Sequence, residues 1–240
     1  MKPLKEQLTR LGADIVSGRS RTNIPVIALV VANMLPIYGV VALGWDAFNI
    51  VLLYWAENII IGFYNIFKMV FAKVEPPIAN IGKLFTISFF IIHYSGFVAV
   101  HGVIIFTLFG KGEADKAMIG QHPWPCFLIF VQLLVNVIRH CWMTIPNDMK
   151  YAIGSLFLSH GVSFVHNYLV GGEYKTSKPN ELMAQPYSRI IVMHIAILVG
   201  GILSVKMGSP IGVLIILIVL KTIIDVKFHL RQHKAVVSIR

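Results

Sequence analysis

Apolar blocks of about 18–25 residues recur along this chain, and nothing else in the sequence constrains its fold so strongly. A helix rises 1.5 Å per residue, so about 20 such residues match the roughly 30 Å of hydrocarbon in a bilayer. A soluble domain of 240 residues has no core large enough to hide several of these blocks. The composition agrees: 56% of residues are hydrophobic and 13% are charged, where ordinary soluble domains carry about 25% charge.

The blocks predict an all-α, polytopic transmembrane helical bundle of six to seven spans. They fall at about 24–43, 48–70, 84–109, 126–145, 151–170, 188–205 and 210–226. The connections between them are too short to fold alone, so residues 1–240 read as a single transmembrane domain. The first block lacks a small-residue cleavage pattern and is expected to be a retained helix, not a signal peptide. Ahead of it, Leu4, Leu8, Leu11 and Ile15 recur at helical spacing with Lys2, Lys5 and Arg10 on other faces. Residues 2–20 therefore read as an amphipathic helix lying on the membrane surface.

A net charge of +10 would suggest nucleic acid in a soluble protein. Here Lys and Arg gather at helix ends, where they meet anionic lipid headgroups, and no aromatic-basic interleaving points to nucleic acid. The same residues bear on orientation. With all seven spans counted and the N-terminus inside, they divide eleven against ten, so the positive-inside rule decides nothing. Dropping the basic C-terminal tail favours a cytoplasmic N-terminus. One re-entrant segment would give six crossings with both ends inside. Cys126 and Cys141 stand fifteen residues apart on one expected helix, roughly 22 Å, too far for a disulfide.

Several spans carry side chains that lipid should exclude. Glu57 is the costliest, since a central carboxylate costs about 3 kcal/mol to insert. Tyr64 and Lys68 share its helical face, with Asn58 and Asn65 beside it and Tyr54 one turn earlier. The next span carries His93 and His101. The 151–170 span carries His160, Ser163, His166 and Asn167, and the 188–205 span carries Arg189 and His194. With strictly alternating spans, Glu57, His101, His166, Asn167 and His194 fall at one outer depth, and His93 and His160 at another.

Carboxylate plus imidazole is the ligand set of Zn, Fe, Mn or Cu sites, so Glu57, His93, His101, His160, His166 and His194 are the candidate metal ligands. Tyr54, Asn58, Asn65, Ser163, Asn167 and Arg189 would support them. A metalloenzyme in the membrane is the leading expectation. A proton-coupled small-molecule transporter and a scaffold held by interhelical hydrogen bonds are the alternatives. Haem fits less well, because the two imidazole levels lie too close for two bis-His haems and no CxxCH occurs. Gly161-Val162-Ser163 is followed by Phe164, which lacks the nucleophile motif of an intramembrane serine protease, and no HExxH zinc motif is present.

The stretch Leu53–Lys68 with Tyr54-Trp55-Ala56-Glu57-Asn58, the His160–Asn167 segment and the Lys221…Asp225…His229 run carry a resemblance. Together they resemble an uncharacterised family of bacterial multi-pass membrane proteins, a domain of unknown function. The resemblance implies a bacterial inner-membrane location. It brings no activity with it.

Overall fold

The computed structural model describes residues 44–75, 79–109, 124–208 and 211–223, with single positions at 38, 40 and 42. The expected surface helix over 2–20, nearly all of the first span and the tail beyond 223 lie outside the described residues. Met1–Trp45 with Ile218–Arg240 form one unit, of which few positions are described. Residues Asp46–Leu217 form a second, compact unit, and it carries every candidate site residue.

The elements of this compact unit are helical, and among the described residues there is no strand. In chain order they are α1 (Ala47–Phe71), α2 (Ala79–Phe109), α3 (Ile129–Thr144), α4 (Asn147–Ser163), α5 (Pro179–Ala184) and α6 (Tyr187–Met207). Ile211–Ile223 is a further apolar helix, α7.

Among the described residues four helical stretches are long and apolar enough to cross a membrane: Ala47–Phe71, Asn80–Leu108, Cys126–Thr144 and Pro179–Met207. Their outward faces are bare hydrocarbon. Phe85, Ile191, Ile202 and Val205 are each more than half exposed, a pattern that suits lipid and would aggregate in water. The described helices thus give four spans against the six to seven expected. The expected 151–170 span does form a helix, but Asp148, Lys150, Ser155, Ser159 and His160 dilute its apolarity. The described part of α7, Ile211–Ile223, covers roughly 20 Å.

The first hairpin shows how the helices lock. Asp46 caps α1, its Oδ1 accepting from the Phe48 amide at 2.9 Å. At the other end the last carbonyls have no helical partner. Lys83, in the first turns of α2, reaches back and donates to the Val70 carbonyl at 2.6 Å and the Ala72 carbonyl at 2.8 Å. Within the hairpin the Trp55 indole donates to the Val98 carbonyl at 2.7 Å, and the Tyr94 hydroxyl donates to the Asn58 carbonyl at 2.8 Å. Replacing Lys83 by Met is expected to cost about 1 kcal/mol, since its cap is only partly buried. Thermal melting of the detergent-solubilised protein checks it.

Small residues set the spacing. A Cβ on Gly102 would stand 2.6 Å from Trp55 Cζ2 and 2.7 Å from Val137 Cγ1, so α1, α2 and α3 meet where only glycine fits. Gly62 lies flat on the Tyr94 ring, and Gly200 lies on the backbone of Val213. This is the close approach by which helices associate in lipid, where no hydrophobic drive separates them from the solvent. Around the junction Val51, Leu52, Trp55, Phe90, Val98 and Val137 are buried.

The helices do not alternate strictly. α1 and α2 are antiparallel. α2 and α3 run the same way, with Gly96 at Phe130, Gly102 at Val137 and Phe106 at His140. α1 and α4 also run the same way, residues of α1 meeting those about one hundred positions on: Tyr64 at Phe157 and Gly161, Lys68 at Tyr168. α2 and α6 do likewise, with His93 at Tyr187 and His101 at His194.

Candidate functional site

Three helices bring their polar side chains to one place. Glu57, midway along α1, accepts from Arg189 of α6, Nη2 to Oε2, at 2.6 Å. His160 of α4 stands with Nε2 at 3.7 Å from Glu57 Oε1. That is too long for a hydrogen bond, so His160 stands beside the carboxylate without bonding it. The Glu57 side chain is 15% exposed and Arg189 is 38% exposed. The carboxylate is thus largely desolvated, and the guanidinium reaches out towards an opening.

That opening is a cavity of about 250 Å³ beside the pair. Tyr64, Asn65 and Lys68 line it from α1, His160 and Ser163 from α4, and Gln185 and Arg189 from the entry to α6. The face of α1 that the sequence marks as polar does converge here. Tyr64 donates to the Phe157 carbonyl at 3.1 Å and Asn65 to the Leu182 carbonyl at 2.9 Å, which fixes α1 against α4 and α5. α4 passes from Ser163 into a π-helical turn over Phe164–Val170, a local widening often found at functional sites. On this turn Tyr168 donates to the Lys68 carbonyl at 2.7 Å, and its ring lies 5.5 Å from the Lys68 ammonium.

The other candidate residues lie elsewhere. His101, buried on α2, holds His194 of α6 through Nε2 and Nδ1 at 3.1 Å. His93 holds the Tyr187 hydroxyl at 2.8 Å. His93, His101 and His194 edge a separate, mostly apolar groove of about 400 Å³ with Phe89, Phe97 and Phe130. His166 is exposed on the π-helical turn, paired with its neighbour Asn167 at 3.0 Å, which in turn donates to Ser163. Asn58 is buried and donates to the Tyr54 carbonyl within α1.

The six expected metal ligands are therefore not gathered about one point. Among the described residues no three His, Cys, Asp or Glu side chains stand close enough to hold an ion. Glu57 meets His160, not His101, His166 or His194, because α1 and α4 run in the same direction. An alternating arrangement would have set Glu57 against the far end of α4. Arg189, expected in a supporting role, is instead the direct partner of the carboxylate. Tyr187 and Gln185 were not anticipated. The only sequence signal for them is their place within one turn of Arg189, at the start of an apolar run. Cys126 and Cys141 are both free thiols, as their separation requires.

A family model described as a family of unknown function, DUF6498, matches residues 16–238. No curated protein and no solved structure matches the chain.

Proposed function

The chain belongs to that family of unknown function, and from this premise we propose that it is a proton-coupled carrier of a small polar solute, bound in the cavity beside Glu57, His160 and Arg189. One observation supports the reading above the others. A largely buried carboxylate at mid-helix is paired across helices with Arg189 and faces a titratable imidazole, and both of these partners line an open polar cavity. Intramembrane ionisable groups are expensive and mark solute and proton paths. A purely structural pair would have no need of the cavity or of the third group.

In this reading Glu57 exchanges a proton and His160 relays it. Arg189 pairs with the carboxylate between cycles, and Lys68 adds a basic side chain at the cavity wall. The location that goes with it is a bacterial inner membrane with a cytoplasmic N-terminus and anionic headgroups at the basic helix ends. Liposomes holding the purified full chain and a pH-sensitive dye test it, against a panel of small organic acids, amines and neutral solutes. One solute class is expected to drive proton movement in the wild type, and Glu57→Gln to abolish it. Wild-type vesicles silent to every class, or a Glu57→Gln variant as active as the wild type, would overturn the proposal.

A further inference from the structure

Resting on the reading of this cavity as a solute site, we infer that the group it recognises is an oxyanion, the phosphate or carboxylate of a small molecule or of a lipid headgroup. The charge of the lining carries the inference. Lys68 and Arg189 are basic side chains, His160 adds an imidazole, and no carboxylate is among the described residues that line the cavity. Among the described residues the carboxylate paired with this lining is Glu57, whose Oε2 meets Arg189 Nη2. Lys68 has the Tyr168 ring as its neighbour and no ion pair among the described residues. One positive charge is left unmatched at a partly buried site, where an anion is worth more than it is in bulk water.

The donors agree with the charge. A guanidinium presents a planar fork of five N–H groups suited to two oxygens at once, and Glu57 Oε2 meets this fork at Nη2. Ser163 Oγ accepts from Asn167 at 3.2 Å, so its own proton remains to be donated. Gln185 adds an amide from the turn that starts α6, the positive end of that helix. A volume of about 250 Å³ lies below the usual 300–1,000 Å³ of a drug-sized ligand. It is large enough for a phosphate or a small acid, or for a headgroup entering from the side.

The geometry also makes Glu57 a competitor. An oxyanion that takes the Arg189 fork displaces the Glu57 carboxylate, which then accepts a proton. Removing the Glu57 charge should accordingly strengthen anion binding, the opposite of what the loss of a binding residue does.

The test uses the full chain in nanodiscs of zwitterionic phosphatidylcholine, with labelled inorganic phosphate in equilibrium dialysis. A second arm offers equal phosphatidylcholine and phosphatidylglycerol and reads the retained lipid by native mass spectrometry. Saturable phosphate binding supports a free anion, and selective phosphatidylglycerol retention supports a headgroup. Lys68→Gln is expected to weaken whichever is seen by about tenfold or more, and Glu57→Gln to tighten it several-fold. Binding in neither arm, an unchanged Lys68→Gln affinity, or weaker binding by a folded Glu57→Gln would each overturn the inference. If Glu57→Gln does not fold, Lys68→Gln decides, because Lys68 is only partly buried and sits at the cavity wall. Proton movement with no anion bound sinks the oxyanion alone. Anion binding with no proton movement sinks the carrier reading and leaves the site.

Discussion

Arg189→Ala is expected to destabilise the folded protein by about 3 kcal/mol, seen as a lower midpoint when the detergent-solubilised chain is unfolded with increasing SDS. The loss is not that of one hydrogen bond. It leaves Glu57, 15% exposed, as a carboxylate without its counter-charge, and breaking a buried pair on one side costs about 3–5 kcal/mol. The lower end of that range applies because Arg189 is 38% exposed and water screens part of the interaction. The double variant Glu57→Gln with Arg189→Ala should recover much of the loss, since the orphaned charge is then gone. Arg189→Lys should fall between, keeping the charge and losing the planar fork. A midpoint for Arg189→Ala equal to the wild type would mean that the pair contributes nothing to the fold.

Trp55→Ala is expected to cost about 3–5 kcal/mol, the range for emptying a large buried site. Trp55 is 1% exposed. It stands against Gly102 where α1, α2 and α3 meet, edge-on to Phe106, with its indole on the Val98 carbonyl at 2.7 Å. Nothing adjacent collapses readily into its place, because the glycine spacing already brings the helices as close as they go. Trp55→Phe, which keeps most of the volume and loses the indole donor, should cost about 1 kcal/mol. The ratio of the two, read from the same unfolding measurement, separates packing from the hydrogen bond.

The sequence foretold some of these residues' places and not others. The apolar run through Trp55 marks α1 to within a residue or two, because hydrocarbon thickness fixes helix length whatever the helix packs against. The face joining Glu57 to Tyr64 and Lys68 follows from helical periodicity alone, and Tyr64 and Lys68 do line the cavity while Glu57 pairs with Arg189 beside it. The partner of Glu57 did not follow. Finding it requires the relative direction of α1 and α4, which depends on how the chain returns between α2 and α3, and periodicity has no bearing on that. The expectation of strict alternation therefore set Glu57 beside the wrong imidazoles. Arg189 was legible as an intramembrane cation, yet its distance from Glu57 along the chain hid the pairing. Lys83 was legible only as a basic residue near a helix end. That it caps the preceding helix depends on the turn between α1 and α2.

The separation of Glu57 from Arg189 along the chain also has a consequence in time. Arg189 lies 132 positions after Glu57, and at about 5–20 residues per second a ribosome needs roughly 7–26 s to reach it. Over that interval the partners of the α1–α2 hairpin contacts have all been made, but the counter-charge of the carboxylate within them has not. The nascent protein therefore enters the bilayer in a less stable form than the finished one. The arrival of α6 supplies that counter-charge, so the ion pair beside the cavity can form only late in synthesis, once the helix carrying Arg189 has been made.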